Sequence, residues 1–499
     1  MIYQLKLREG KTMRCLKKAG FIVAAMFLTL FIACGDDGKK EDGPQNPNET
    51  YTVSFDSNGG SPVSPVTGVR YGSTINAPTP QPTRAGYRFN GWGYSPAAGV
   101  VGNWAPIAFP YKVTGDVTLR AIWVSLHEEN EVSGLSDLIF TVKNHPDLKY
   151  KLMYDIRLSG DWEPIGTWDV PFTGTFDGNG YIVSGMQIYN VKGEYAGFFG
   201  VVSGATIKNF TLEDVDIDVD AKYVGAIAGH IEDSTITDCY SSGNIYSYSV
   251  NESYAGGIAG IVFDSEITNC SNEGNIYSYS DYDYAYAGGI AGYAEGSVIT
   301  NCYGWGEDYL ASGYYAFAGG IAGIVADSEI TNSYSMGDII AGADDYASAG
   351  GIAGIVEEYS EITNSYSTGY IFAGADTFAD AGGIAGIVLD SEITNCAAIN
   401  EAIDSSHYAG RVVSDYDFSV ISNNFALSTM TAPGAAKFNA ADTLSHGISK
   451  TDDQLQMRST YNNAVAGGGL GWSFGRNRAN PWRMPVAGAG YLYPILYWE

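Results

Sequence analysis

The chain has 499 residues, with 56 Asp and Glu against 27 Lys and Arg and a formal net charge of −29. Such a surface repels polyanions and argues against a nucleic-acid partner. Five His and six Cys leave little material for metal or redox chemistry, whereas 63 Gly and 37 Tyr suit short strands and tight turns.

Residues 1–18 are basic, and residues 19–33 form an uncharged, mostly apolar run. The run is shorter than the ~20 residues that a spanning helix needs. It predicts a secretory signal peptide over residues 1–33. The run ends Leu30-Phe31-Ile32-Ala33-Cys34, which resembles a bacterial lipobox with Phe31 at the position usually held by Leu. The resemblance implies acylation of Cys34, an outer-membrane lipoprotein, and membrane attachment through the lipid alone. The acidic residues after Cys34 resemble surface-export signals of Bacteroidetes-type lipoproteins, which implies a chain facing the cell exterior. Residues 34–50 have the composition of a flexible tether.

Residues 51–124 read as a small module. Tyr51-Thr-Val-Ser-Phe55 alternates as a strand does, Asp56-Ser-Asn-Gly-Gly60 breaks it, and Val117-Thr-Leu-Arg-Ala-Ile-Trp123 closes the module. With Pro82-Thr-Arg-Ala-Gly-Tyr-Arg-Phe-Asn-Gly-Trp92, these segments resemble the Listeria–Bacteroides repeat, or internalin B-repeat. That resemblance implies a β-grasp-like spacer or interaction unit, with Trp92 and Trp123 either in its core or in a binding patch.

Residues 125–185 are expected to hold an N-terminal cap and the first coils, with Leu135–Asn144 as a short amphipathic helix over the open end and Asn130 in an exposed connector. From 186 to 430 the chain repeats. Gly-Ile-Ala-Gly blocks and their variants end at Gly200, Gly229, Gly260, Gly292, Gly323, Gly354 and Gly386, spaced by 29 to 32 residues. A second block keeps step at Ile236, Ile267, Ile299, Ile330, Ile362 and Ile393. Three short strand-like runs per repeat predict an all-β, capped β-solenoid whose coils bury their apolar faces against one another. In Ile-Thr-Asn-Cys both ends are apolar although i and i+3 face opposite sides of a flat strand. A corner at the Asn resolves this, because Asn tolerates the left-handed conformation. Asn269, Asn301, Asn332, Asn364 and Asn395, with Asn209 and Asp238 before them, are therefore predicted to form a structural ladder. The Cys/Ser positions that follow are expected to form an inward column of free thiols and hydroxyls. The Gly-Gly-Ile-Ala-Gly blocks resemble the GLUG motif of large bacterial surface proteins, including adhesins and IgA-protease accessory regions. Residues 431–499 are expected to be closing coils and a cap.

The chemistry-bearing motifs are weak. Gly471-Trp-Ser-Phe-Gly475 matches G-x-S-x-G, but no His follows Ser473. Lysines and arginines between 186 and 430 are Lys192, Lys208, Lys222 and Arg411, too few for a lyase acting on acidic polymers. Asp233, Asp264, Asp327 and Asp390 recur with the repeat, as turn residues do. The expectation is a chain that is not an enzyme, needs no cofactor and holds no metal. It would serve as a lipid-anchored binding or adhesion protein, its partner a host or bacterial surface protein or a glycan. The alternatives are a β-helix glycosidase or lyase, and a passive spacer. The expected ligand-binding residues are Tyr246, Tyr248, Tyr277, Tyr279, Tyr282, Tyr284 and Tyr286, on loops left over between the strands of each coil.

Overall fold

The computed structural model describes residues 49–94, 105–191, 193–434, 438, 443–462, 469–477, 480–485 and 492–496. The signal peptide, Cys34 and nearly all of the tether lie outside the described residues.

The N-terminal module is a five-stranded mixed sheet. Thr50–Asp56 lies between Val66–Arg70, antiparallel, and Val117–Ser125, parallel; Tyr87–Tyr94 pairs antiparallel on the far side of Val117–Ser125. Val53, Trp92 and Leu119 fill its core, so Trp92 belongs to the packed interior. The Trp123 indole, half-buried, donates to the Ser57 carbonyl at 3.0 Å. The module is fastened to the next region by a bidentate ion pair, Arg88 to Asp147, at 2.7 Å for each bond.

From Asn130 onward the chain winds as a β-solenoid with three parallel sheets. One carries long strands such as Tyr240–Ser249 and Asp338–Gly350. A second is built from three-residue strands such as Glu266–Thr268, and a third from five-residue strands such as Ala322–Ala326. Pairing is parallel and in register, so like residues stack: Ile236 on Ile267, then Ile299, Ile330, Ile362 and Ile393. The predicted helix over the open end is present as a short helical segment, Leu135–Asp137 continued by a wide turn at Leu138–Val142, with Leu138 and Val142 fully buried. Asn130 is not an idle connector residue. Its side chain accepts from Ser125 N and donates to the carbonyls of Ser125 and Lys149, tying the module to the first coil.

Two corners shape each coil. At the first, Asn209, Asp238, Asn269, Asn301, Asn332, Asn364, Asn395 and Asn423 all have φ between 49° and 58°. Their amides link coil to coil: Asn269 Nδ2 to Asp238 Oδ1 at 2.8 Å, Asn301 Nδ2 to Asn269 Oδ1 at 3.1 Å, and Asn423 Nδ2 to Asn395 Oδ1 at 2.6 Å. The ladder breaks above Asn301, whose Oδ1 has no hydrogen-bond partner, and Asn332 Oδ1 accepts instead from the Trp482 indole at 3.3 Å. Behind it the thiols and hydroxyls form a second ladder: Cys270 N donates to Cys302 Sγ, Cys302 N to Ser333 Oγ, and Ser333 N to Ser365 Oγ. Cys239, Cys270, Cys302 and Cys396 are free and buried.

The second corner carries Asp233, Asp264, Asp327 and Asp390, also left-handed. A serine follows each of them, and every serine N–H donates to the next serine hydroxyl, as from Ser265 to Ser297 and from Ser297 to Ser328. Sequence reading passed over this buried ladder because a serine beside an Asp reads as a solvated turn. The serines are buried because each hydroxyl is satisfied twice, accepting from the serine N–H of the preceding coil and donating to a carbonyl two or three residues back.

The C-terminal segment does more than close the end. Ile448–Lys450 pairs with Phe425–Leu427 as a last coil strand. The chain then turns back along the flank as a small antiparallel sheet, Phe474–Asn477, Asn480–Arg483 and Ile495–Leu496. Trp482 and Trp472 lie over Tyr366, and Trp482 also over Tyr334.

Candidate functional site: an aromatic groove

The seven tyrosines expected on surplus loops are mostly on strands. Tyr246 and Tyr248 belong to Tyr240–Ser249, and Tyr277 and Tyr279 to Ser271–Ser280. Their Tyr-Ser-Tyr-Ser pattern is a strand of period two, with the serines turned inward. Ser247 and Ser278 are fully buried and bond the carbonyls of Ala221 and Ser253 at 2.9 and 2.8 Å. The reading failed because serine was counted as polar and therefore exposed.

The structure divides these tyrosines into three groups. Tyr246 stacks on Tyr277 with ring centroids 4.6 Å apart, and Tyr248 on Tyr279 at 5.2 Å, on the outer face of the long sheet. Tyr282 stands alone at a turn, 74% exposed. Tyr284 and Tyr286 lie on Tyr284–Gly288 and join a different column. There Tyr286 stacks between Tyr254, at 4.3 Å, and Phe317, at 5.4 Å, while Tyr284 stacks on Tyr315 at 4.7 Å.

This second column forms one wall of a groove. The chain bends at Gly-Gly just beyond it, and the outward residues of the third sheet form the other wall: Ile261, Tyr293, Ile324 and Ile355, in register. The bend needs glycine, since a Cβ at Gly289 would sit 2.3 Å from the Gly320 carbonyl oxygen. The groove measures about 540 Å³ and carries Glu295 and Glu357 along one lip. The Tyr293 hydroxyl donates to Glu295 at 3.0 Å. Burial, then the neighbouring Glu358 and Glu295, pushes the Glu357 carboxyl above the usual range.

Towards the N-terminal end the same column continues through Tyr223 and Tyr195 to Trp168. His230 faces these rings edge-on and is 5% exposed. Burial lowers its pKa to about 4, so the imidazole is neutral. Its Nε2 has no hydrogen-bond partner, and Glu232 stands 3.9 Å away. Lys222 reaches over the column, its ammonium 4.9 Å from the Tyr223 ring and 5.7 Å from Tyr254, and pairs with Glu252 at 2.5 Å. At the opposite end of the column Asp380 occupies the register of Ser348, itself in register with Phe317. Burial raises the Asp380 pKa to about 6.

Fold and groove define a β-solenoid repeat protein with an aromatic outer groove. The particular modules follow from family models. The Listeria-Bacteroides repeat domain matches residues 51–122, and the GLUG motif matches residues 220–246 and 251–277. The chain carries both. A curated relative from Evansella cellulosilytica, named "Putative Gly-rich membrane protein", is 34% identical over 91 residues, which is 16% of this chain and 10% of that protein's length. Among solved structures, a "putative immunoglobulin A1 protease" from Bacteroides ovatus is similar at 20% identity and a TM-score of 0.39, covering 74% of this chain and 93% of that one. A structure named "IgA1 Protease" is similar at 17% identity and a TM-score of 0.35, covering 62% of this chain and 22% of that one. The expectation that the chain is not an enzyme is corrected: both solved neighbours bear a protease's name. Likeness of that depth transfers no activity or catalytic residue. Among the described residues, no helix is long and apolar enough to cross a membrane.

Proposed function

We propose that the chain is an exported, lipid-anchored surface protein that binds a partner through the groove on the outside of its solenoid. The observation that carries this reading is the column Tyr254, Tyr286 and Phe317 facing Ile261, Tyr293 and Ile324, an apolar lining on the outside of a solenoid that already encloses a separate interior core. On this packed base the half-exposed rings of Tyr284, Tyr293, Tyr315 and Tyr346 line one outer surface; contiguous apolar surface of this kind marks interaction sites, and tyrosines give contact area at low entropic cost. The B-repeat module and the tether then serve to hold the groove away from the membrane, with diacylated Cys34 as the anchor.

The test is adhesion of the anchored full chain, displayed on cells, to host cells and matrix. Replacing the half-exposed Tyr284, Tyr315 and Tyr346 by Ser should reduce adhesion while leaving the melting temperature nearly unchanged. Undiminished adhesion would sink the groove as the binding surface. For the anchor, Cys34→Ala should move the chain out of the membrane fraction; retention there would refute lipidation.

A further inference from the structure

The groove has aromatic rings and carboxylates but is short of cations. After Lys222 the next Lys or Arg in the sequence is Arg411. Arg411 is committed to the final coils, donating to Ser449 Oγ and to the carbonyls of Ala426 and Leu427. Every strand lining the central groove between Tyr254 and Glu357 therefore lacks a basic residue.

At the N-terminal end the molecule shows how the column receives a cation. The Lys222 ammonium lies over two stacked tyrosine rings and closes on the Glu252 carboxylate. Ring face and carboxylate together hold an ammonium better than either alone, because the ring quadrupole and the anion act on the same charge. The following coils repeat the rings, through Tyr286, Phe317 and Tyr346, and supply carboxylates at Glu295 and Glu357. Burial, then the charges of Glu358 and Glu295, raises the Glu357 carboxyl above its usual range, and no Lys or Arg lies on the strands beside it. Beside the N-terminal end of the column, the His230 ring packs edge-on against Tyr195 and Tyr223, and its buried Nε2 has no hydrogen-bond partner among the described residues.

The form of the occupant follows from the groove's direction. It runs along the solenoid axis, past coils ~4.8 Å apart, and offers aromatic rings from successive coils with a carboxylate in every second one, Ala326 lying in register between Glu295 and Glu357. The C-terminal segment already shows an extended piece of chain lying lengthwise on the other flank, its Trp482 over Tyr334 and Tyr366. Resting on the binding role given above, we propose that the groove takes an extended peptide segment of another protein bearing Lys or Arg, the cations seated on the tyrosine column and paired with Glu295 and Glu357.

The probe is a labelled octapeptide of alternating Lys and Ser, titrated into the detergent-solubilised full chain by fluorescence anisotropy. The doubly substituted Glu295→Gln/Glu357→Gln chain should bind about tenfold more weakly or worse. Glu329→Gln/Glu361→Gln, which removes the same charge from exposed positions on the short-strand sheet, should bind within about twofold of the parent. The Glu-Ser octapeptide and cellohexaose should not bind. Equal losses in both pairs would mean diffuse attraction to an acidic protein and would overturn the proposal. Cellohexaose binding that Tyr293→Ser abolishes would overturn it too, while leaving the groove as a binding site. No binding of any probe, together with unaltered adhesion of the Tyr284, Tyr315 and Tyr346 variant, would remove both readings.

Discussion

Two of the stacked aromatic columns along this solenoid differ in what lies over them. Beside the Asn corner, Tyr303, Tyr334 and Tyr366 stack at 5.2 and 4.9 Å, and Tyr334 and Tyr366 are fully buried beneath Trp472 and Trp482. At the Gly-Gly bend, Tyr254, Tyr286 and Phe317 stack at similar spacing, but their neighbours Tyr284, Tyr315 and Tyr346 stay half-exposed. Ring spacing is imposed by the distance between coils, so stacking alone says nothing of function. Cover by the chain itself is what separates the two columns.

The largest expected effect lies at the bend beneath the open column. A Cβ at Gly320 would stand 2.3 Å from the Gly351 carbonyl oxygen and from the Ser335 side chain. Gly320→Val should therefore cost more than about 4 kcal/mol and abolish a single cooperative melt in circular dichroism. A variant that melts like the parent would mean that the Gly-Gly bend is not tightly packed.

Next comes the covered column. Trp482→Ala should cost about 3–5 kcal/mol, read by denaturant unfolding, and should expose Tyr334 and Tyr366 to a fluorescence quencher. Tyr315→Ala on the open column should cost about 1 kcal/mol or less. Equal costs would erase the distinction between the two columns.

Asn332→Ala should lose ~1–2 kcal/mol, since its left-handed backbone and its bond from the Trp482 indole are both affected. The additional loss should vanish in a Trp482→Ala background. Full additivity of the two changes would show that the flanking segment does not depend on the Asn corner.

The smallest effect is a pH dependence at the far end of the open column. Asp380 accepts from Ser414 Oγ at 2.9 Å and from the Tyr346 hydroxyl at 3.3 Å, yet burial raises its pKa to about 6. A carboxyl with a raised folded pKa is penalised when ionised. Its cost is absent below the unfolded value near ~4, grows as pH rises towards about 6, and persists above. Asp380→Asn should therefore raise the melting temperature at pH 7 and leave it unchanged at pH 4. The same shift at both values would exclude ionisation as the cause.

The solenoid was legible because each coil repeats the demands of the last. Gly-Gly at the bend, Ile facing inward and Asn at a corner recur at one period, and in-register pairing multiplies any local preference down the stack. The Asn corner could be read from the parity of Ile267 and Cys270 alone. The groove could not be read in the same way. Tyr246 and Tyr286 both sit in a stretch where tyrosines alternate with a small residue, yet one joins the open face of the long sheet and the other the wall of a groove. The burial of serine in Tyr-Ser-Tyr-Ser is not legible locally, because it depends on carbonyls in other turns of the coil, such as Ala221 for Ser247.

What the sequence alone determined is therefore the repeat length, the β-solenoid class and the stacking of like residues from coil to coil, all products of nearest-neighbour packing. What only the tertiary structure decided is which surfaces remain uncovered. Trp482 lies 150 residues from Asn332 in the chain, and no local pattern encodes a contact of that range. The fold-back of one segment over Tyr334 and Tyr366 buries one aromatic column, and among the described residues no equivalent segment lies over Tyr284, Tyr315 and Tyr346, which stay half-exposed beside the other.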